Sequence, residues 1–313
     1  AFRFDDVHPN EPSDFEVYFR TKGQEFRYRL SFDTEGITSE SLTRKNVGGT
    51  RTAMVFERTG DEVELGSVLK RARANTSFNF DIPYLSFLAL NYDIEFVDMA
   101  AEWIASTRFI DFDFRFEELI LEKMLEQEDE DIIVGILKAA GITIDGFRVE
   151  GDEDDFENRR VWVRHIVNGN AYELRLNKES AGTRKMMSMA VALDDALKKG
   201  SLLVIDELDS KLHPKLLRFI IMLFQDPDIN RNGAQLVFTS QDVSIMRNDV
   251  FRRDEIWFAA RDEDEASVLW SLSDIHEPNG NLVSKNAAFD RQYLSGRYGA
   301  DPILDRLLYW EED

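Results

Sequence analysis

The chain has no cysteine and only four histidines among its 313 residues. The lack of cysteine excludes disulfides, thiolate catalysis and zinc or iron-sulfur sites built on cysteine. Four scattered histidines leave little material for a histidine-rich metal site. We therefore expect any bound metal to be a hard cation held through oxygen, such as magnesium.

Long hydrophobic runs are lacking too. No stretch approaches the roughly eighteen apolar residues that span a bilayer, and the opening AFRFDDVHPN lacks the basic and apolar regions of a signal peptide. We expect a soluble, cytoplasmic protein without a membrane partner. Hydrophobic residues make up 43% of the sequence, which is enough for the core of one large domain or two ordinary ones.

Basic residues are outnumbered, with 38 Lys and Arg against 60 Asp and Glu, and the formal net charge is −22. This balance is the reverse of a broad nucleic-acid-binding surface, so the charge does not support a nucleic-acid partner, although a local basic strip is compatible with it. Acidic runs at 126–131, 151–157 and 262–265 are interpreted as solvated loops and helix ends rather than as a nuclease metal site.

Hydrophobic periodicity divides the chain into segments of different type. Residues 15–65 alternate polar and apolar side chains between glycine-containing turns, which predicts an antiparallel β meander. Between residues 85 and 140 the period is that of amphipathic helices, which predicts a helical insertion. The runs VWVRHIV and AYELRL flank Asn168-Gly169 and predict a β-hairpin.

Helix and strand patterns alternate after residue 179. Helices are predicted over 183–199 and 214–225, and strands over 201–206 and 234–239. The short links between them indicate a parallel sheet layered with helices, and so an α/β fold. The tail, with DEIWFAAR and SVLWSLS, returns to a strand pair.

The run SLLVIDELD is an apolar strand that ends in two adjacent carboxylates, Asp206 and Glu207. Ligands in open α/β sheets gather at the carboxyl ends of such strands. In nucleoside triphosphatases the first carboxylate of such a pair holds magnesium and the second accepts a proton from the attacking water. Carboxylates that merely make a strand end soluble are the alternative interpretation.

A second segment, residues 179–183, reads ESAGT and opens the helix before this strand. Ser180, Ala181 and Gly182 are small, so the backbone can approach a ligand closely, and the exposed amides and dipole of the helix favour a phosphate. An ordinary helix cap is the alternative. The next predicted strand ends near Gln241, which should lie beside the Asp-Glu pair.

In order along the chain, ESAGTRK, LLVIDELD, DSKLHP and LVFTSQD resemble the signature motif, Walker B, D-loop and switch region of ATP-binding-cassette ATPases. The chain most resembles the prokaryotic AAA-15/AAA-21 group, relatives of the overcoming-lysogenisation-defect ATPases of phage-defence and abortive-infection systems. AFRFDD, EFRYRLSFD and YLSGRYGADP also match this group, so the likeness spans most of the chain. The resemblance implies an ATPase head in three parts: a β-rich part (1–84), a helical region (85–150) and the signature and Walker B part (151–313).

The resemblance implies a head-to-head homodimer, or a higher oligomer, that binds ATP and Mg²⁺ at the interface. Asp206 would bind the metal and Glu207 would be the catalytic base in cis, with Gln241 beside them. Ser180, Ala181 and Gly182 would contact ATP held by the partner, and the D-loop (residues 209–213), with Asp209, would cross the seam. His213 is interpreted first as a cap or packing residue of the helix that follows.

Two departures from the family pattern limit this reading. No stretch reads G-x-x-x-x-G-K-[ST], so the Walker A loop is missing; either the chain begins after it or the head does not bind nucleotide in cis. Gln241 stands where the family places a histidine, and because an amide carries no charge and shuttles no proton, we expect slow hydrolysis.

The leading hypothesis is an ATPase whose closure controls an associated effector, such as a nuclease, in antiviral defence. The alternative is a hydrolysis-deficient, nucleotide-gated scaffold that holds a partner nuclease. A DNA-repair head on long coiled coils ranks last, because no sustained heptads occur around 85–140. Asp111 and Asp113 suggest paired metal ligands, but they fit the solvent face of a strand or loop equally well.

Overall fold

The computed structural model describes residues 8, 11–110, 130–151, 159–277 and 280–300. The chain divides into two compact units, Ala1–Thr107 and Arg108–Asp313. Asp111 and Asp113 lie outside the described residues, as does most of the helical pattern predicted between them and Glu130. The three-part division predicted from the sequence stays a prediction.

The first unit contains the predicted β meander, which the structure confirms. Five strands lie in chain order, each antiparallel to the next. Alternate side chains such as Phe26, Leu42 and Phe56 are buried, as the period of two requires. The strands are β1 (Ser13–Thr21), β2 (Gln24–Phe32), β3 (Ile37–Asn46), β4 (Ala53–Thr59) and β5 (Glu62–Leu65).

The described residues of the first unit also form three α-helices: α1 (Ser67–Ala72), α2 (Tyr84–Asn91) and α3 (Glu95–Ser106). Their apolar side chains share one core with the meander strands. Two of them, α2 and α3, fall in the segment whose sequence pattern is helical, and the prediction of helices there is confirmed.

A buried ionic group joins the meander to α2. Glu40 on β3 accepts hydrogen bonds from the first amides of that helix, those of Tyr84 and Leu85, and from the Tyr28 hydroxyl. Its carboxylate lies 3.8 Å from the Arg58 guanidinium, and both side chains are almost completely buried. Burial raises the pKa of Glu40, while these donors oppose the shift. The carboxylate therefore fixes where α2 begins.

The second unit has a parallel sheet at its centre. Its strand order is β11-β10-β6, with all pairs parallel. The predicted strands at 201–206 and 234–239 are confirmed, whereas β6 was not predicted because its three residues lie inside a segment with helical periodicity. The strands are β6 (Arg108–Ile110), β10 (Leu202–Ile205) and β11 (Gln235–Phe238).

Two long helices pack with this sheet in one hydrophobic core. Their boundaries follow the sequence, because Ser180 caps the first, Pro214 opens the second, and Gly200 ends the first at a φ of +66°. A side chain at Gly200 would meet the Asn232 carbonyl at 2.2 Å, so only glycine fits. The α-helices among the described residues of this unit are α4 (Glu130–Ala139), α5 (Ala181–Lys199), α6 (Pro214–Gln225) and α7 (Phe289–Leu294).

The described part of the second unit also contains two antiparallel sheets, one formed by residues between β6 and β10 and one formed by residues after β11. The predicted hairpin at Asn168-Gly169 is confirmed, with φ of +50° and +79° at these residues, as a tight turn between strands requires. The predicted strand pair in the tail is also confirmed. These strands are β7 (Gly146–Glu150), β8 (Arg160–Val167), β9 (Asn170–Arg175), β12 (Trp257–Arg261) and β13 (Ser267–Ser271). No helix among the described residues combines the length and hydrophobicity that a membrane span needs.

Candidate functional site

The carboxyl ends of β10 and β11 meet at one edge of the parallel sheet. Asp206 follows β10 and Thr239 follows β11, and the Thr239 hydroxyl donates a hydrogen bond to Asp206 Oδ1. The same hydroxyl oxygen accepts the Glu207 amide at 2.8 Å. Thr239 thus bridges the two acidic residues of the Walker B segment. Sequence reasoning missed this residue, although its place at the end of the neighbouring strand was a signal.

Glu207 lies in the backbone turn that follows β10. Its φ is +49°, in the left-handed region that non-glycine residues rarely adopt, and the chain continues into the D-loop. Both Asp206 and Glu207 are exposed. A strained turn that exposes an acidic pair at a sheet edge is typical of functional positions.

The D-loop connects this edge to the loop after β11. Both carboxylate oxygens of Asp209 lie 3.2 and 3.3 Å from the backbone amide of Gln241, which donates to them. The Asp209 carbonyl also accepts the Leu212 amide at 3.0 Å. The backbone of Gln241 is therefore held against the D-loop by Asp209, and Gln241 is exposed; its place beside the acidic pair stays a prediction.

Lys185 on α5 makes hydrogen bonds to the backbone of the turn after β10 and of the D-loop. Its ammonium donates to the carbonyl oxygens of Glu207, Leu208 and Ser210 at 3.0, 2.9 and 2.7 Å. Only 5% of the residue is exposed. Burial lowers the pKa of Lys185 to about 8, although the nearby carboxylates of Asp209 and Glu207 favour the charged form.

Sequence reasoning also missed Lys185. The signal was its position four residues before Met189 and eight before Leu193, on the helix face that these apolar residues mark as buried. A buried lysine that donates to three carbonyl oxygens links α5 to the turn after β10 and to the D-loop.

The signature segment (residues 179–183) begins α5. Ser180 is the N-cap, and its hydroxyl accepts the Thr183 amide at 3.0 Å and lies 2.8 Å from the Thr183 hydroxyl. A side chain at Gly182 would approach the Lys211 carbonyl to 3.1 Å, so the signature glycine lies against the D-loop. Ser180 and Ala181 are exposed at the helix N-terminus, where backbone amides favour an anion.

His213 caps the helix that follows it, which is the role that we preferred from the sequence. It is the N-cap of α6, and its Nδ1 accepts the Lys215 amide at 3.2 Å. The helix it caps packs Leu217 and Ile220 into the core. The end of the D-loop is thereby fixed to a buried helix.

The oxygen donors at this edge suit magnesium. Mg²⁺ is usually bound through one or two carboxylates, together with waters and substrate phosphates, rather than by a cage of protein ligands. Asp206 supplies one exposed carboxylate and Thr239 supplies a hydroxyl oxygen beside it. Within the described part of the chain, no group of three or more acidic or histidine side chains forms a metal cage. The donor set fits a magnesium ion shared with a phosphate ligand.

A family model described as "AAA domain, putative AbiEii toxin, Type IV TA system" matches residues 1–247. A solved structure described as "Crystal structure of the SmcHead bound to the C-winged helix domain of ScpA" is similar with 13% identity and a TM-score of 0.39, over 80% of this chain and 74% of that chain. One described as "Structural biochemistry of ATP-driven dimerization and DNA stimulated activation of SMC ATPases" has 12% identity and a TM-score of 0.34, over 50% and 85%. No curated protein sequence matches the chain.

Proposed function

This chain belongs to the AbiEii-type AAA-domain family, whose model covers most of it, and from that premise we propose that it binds and hydrolyses ATP. The resemblance to the AAA-15/AAA-21 group is thereby confirmed, as is the expected α/β ATPase-head fold with its antiparallel meander. An ATPase-type domain of this kind implies nucleotide binding, typically with Mg²⁺.

The observation that carries the proposal is the bridge from Asp206 through Thr239 to Glu207 at the carboxyl edge of β10. The bridge holds the Asp206 carboxylate against a hydroxyl donor. The Glu207 side chain is exposed, so it can face a ligand. Asp206 is assigned to the metal, which would neutralise charge on the phosphates when bound. Glu207 is assigned as the base that accepts a proton from the attacking water.

Gln241 is assigned to the same site as a hydrogen-bond donor. Asp209 fixes its backbone, so its amide side chain extends from a defined position. An amide can orient a water or contact a phosphate oxygen, but it cannot accept the proton. The proton therefore goes to Glu207, and hydrolysis is expected to be slow.

The signature segment is assigned to ATP held by a second copy of the chain. Ser180, Ala181 and Gly182 present backbone amides and a hydroxyl at an exposed helix N-terminus. Asp209 belongs to the D-loop that contacts both the signature glycine and the switch loop. ATP would close a head-to-head dimer by joining the acidic edge of one copy to the helix N-terminus of the other.

Dimer closure is proposed to control an associated effector, such as a nuclease, in prokaryotic antiviral defence within the cytoplasm. This part of the proposal rests on the family resemblance. The net charge of −22 favours control through a protein partner rather than through extensive nucleic-acid contact.

The test measures ATP binding and turnover by the intact gene product and by Glu207→Gln. The variant should retain ATP binding and lose turnover by about 100-fold or more, as expected for removal of a general base. Glu263→Gln is the matched control, because Glu263 is an exposed carboxylate in the β12–β13 turn. Equal turnover by Glu207→Gln and the wild type would refute the assignment of the base.

A second candidate is the nucleotide-gated scaffold that does not hydrolyse ATP. Gln241 favours it, because the position that usually carries a histidine has no titratable group. ATP binding without turnover in the wild type would support the scaffold, whereas turnover that Gln241→His increases would support the slow ATPase. If none of these proteins binds nucleotide, both the ATPase and the scaffold hypotheses are refuted.

A further inference from the structure

The backbone of Glu207 is held on both sides of its Cα atom by residues of other elements. The Thr239 hydroxyl oxygen, after β11, accepts the Glu207 amide at 2.8 Å. The Lys185 ammonium, from α5, donates to the Glu207 carbonyl oxygen at 3.0 Å. Because the φ and ψ angles of Glu207 lie between these two contacts, the contacts set the direction in which its side chain leaves the turn.

The conformation that these contacts hold is one that a glutamate rarely adopts. The φ of Glu207 is +49°, in the left-handed region that costs free energy for any residue with a Cβ atom. A residue stays in such a conformation when the surrounding structure fixes it. The hydrogen bond from Lys185 is therefore part of what keeps Glu207 in its turn.

Lys185 fixes the residues that follow Glu207 as well. An ammonium has three N–H groups, and Lys185 also donates to the carbonyl oxygens of Leu208 at 2.9 Å and Ser210 at 2.7 Å. Lys185 is buried, so water competes little for these hydrogen bonds. A displacement of α5 relative to the turn would lengthen them together, and Glu207 therefore follows the position of α5.

The first turn of α5 contacts the D-loop at a second point. A Cβ atom at Gly182 would lie 3.1 Å from the Lys211 carbonyl oxygen, so the two backbones are in close contact there. Gly182 and Lys185 are three residues apart and lie on the same side of the helix. This side of α5 is thus joined to the D-loop and to the turn after β10 directly beside its N-terminus.

We propose that Lys185 is a positioning residue that holds Glu207, the base of one ATP site, in register with the helix whose N-terminus contacts the other ATP. This inference rests on the proposed function, in which Glu207 acts on the ATP of its own chain and Ser180 contacts the ATP of a second copy. A phosphate bound at the signature segment fixes the N-terminus of α5, and Lys185 transmits that constraint to the turn that contains Glu207. ATP at one site then favours proton transfer at the other.

The first measurement is NMR of the full chain without nucleotide, because the ¹³Cα and ¹³Cβ chemical shifts of Glu207 report its φ. Lys185→Met keeps the length and hydrophobic volume of the side chain and removes its N–H groups. We expect left-handed shifts at Glu207 in the wild type and a displacement toward right-handed values in the variant. Right-handed shifts in the wild type, or identical shifts in both proteins, would overturn the positioning role.

The second measurement is ATP binding and turnover by the intact gene product. Lys185→Met should lower kcat per bound ATP about tenfold, as loss of one charged hydrogen bond implies, while KM and the amount of bound ATP change little. A lysine with a merely structural role would lower turnover and bound ATP in proportion, because part of the protein would be unfolded. A proportional loss, or an unchanged kcat, contradicts the inference.

Lys199→Met is the matched control. Lys199 lies at the other end of α5, where it pairs with Asp195, and its replacement should leave the Glu207 shifts and kcat at their wild-type values. Equal changes in both variants would show that the contact with the turn is not the cause. If Lys185→Met does not fold, Lys185→Gln takes its place: the shorter amide retains fewer hydrogen bonds, and wild-type Glu207 shifts and kcat in it would refute the role.

The dependence of turnover on ATP concentration tests the connection between the two sites. The signature segment and Glu207 of one chain belong to different sites, so wild-type turnover should rise more steeply than a hyperbola, and that of Lys185→Met less steeply. A hyperbolic wild-type curve, or equal steepness in both proteins, would overturn the connection. A wild type that binds no ATP would refute the proposed function instead, and the NMR result would still decide whether Lys185 positions Glu207.

Discussion

Replacement of Lys185 by methionine tests whether this buried lysine organises the D-loop. Methionine has nearly the same length and hydrophobic volume, so it keeps the packing of α5 and removes three hydrogen bonds. A hydrogen bond from a charged group contributes about 1.5–3 kcal/mol, but the three are not additive, and loss of the buried ammonium returns part of the energy. We expect the D-loop to lose about 2 kcal/mol of local stability.

Hydrogen exchange measures this loss directly. The amides of Ser210 and Leu212 are hydrogen-bonded within the turn and D-loop, to the carbonyls of Glu207 and Asp209, and report its opening. A loss of about 2 kcal/mol should accelerate their exchange about 30-fold, while amides inside α6 should change little.

Lys199→Met is the matched control for this prediction. Lys199 lies on the same helix but is about half exposed and pairs with Asp195 one turn earlier, an interaction of small energy. The reasoning is refuted if D-loop exchange in Lys185→Met stays within about threefold of the wild type, or if Lys199→Met accelerates it equally.

Three further predictions concern pH, the first unit and the acidic edge. Because burial lowers the pKa of Lys185 from 10.5 to about 8, the folded state binds this proton less tightly than the unfolded chain, so the free energy of unfolding should rise between these pH values. Urea titrations at several pH values should show the rise in the wild type and not in Lys185→Met. Glu40→Ala removes the acceptor for two amides of α2 and leaves a buried cation without its carboxylate; it should cost about 3 kcal/mol of stability in urea unfolding, against almost nothing for the exposed Glu57→Ala. Thr239→Val removes the bridge between the acidic residues and should lower ATP turnover about tenfold, whereas Thr239→Ser should retain it; equal turnover in both would contradict the role of the hydroxyl.

Local signals in the sequence were enough to predict most of the helices and strands. Alternation of side chains marks the β meander, Asn168-Gly169 marks a hairpin, and Pro214 and Gly200 mark helix ends. These features depend on backbone preferences and on neighbours within a few residues, so a single sequence carries them. The strand β6 was not predicted because its three residues lie inside a segment with helical periodicity and are too few to show a period of their own.

Only part of the candidate site could be predicted from such local signals. Asp206, Glu207 and the ESAGT segment could be found because motif order and spacing are properties of the chain itself. The placement of Asp206 and Glu207 at the carboxyl edge of the sheet followed from the parallel topology that alternating helices and strands imply. The roles of these residues in ATP chemistry stay proposals.

What only the tertiary structure decided is which side chains from distant positions meet. Thr239 bridges the acidic pair, Lys185 donates to three carbonyls of the turn after β10 and the D-loop, and His165 contacts Glu179. Each contact joins residues that have no fixed spacing in the sequence, and each depends on how helices and sheets pack. The sequence by itself determined the ATPase-head motifs and the local elements. Packing determined the hydrogen-bonded frame around them, because burial and side-chain pairing are set by the assembled core rather than by neighbours along the chain.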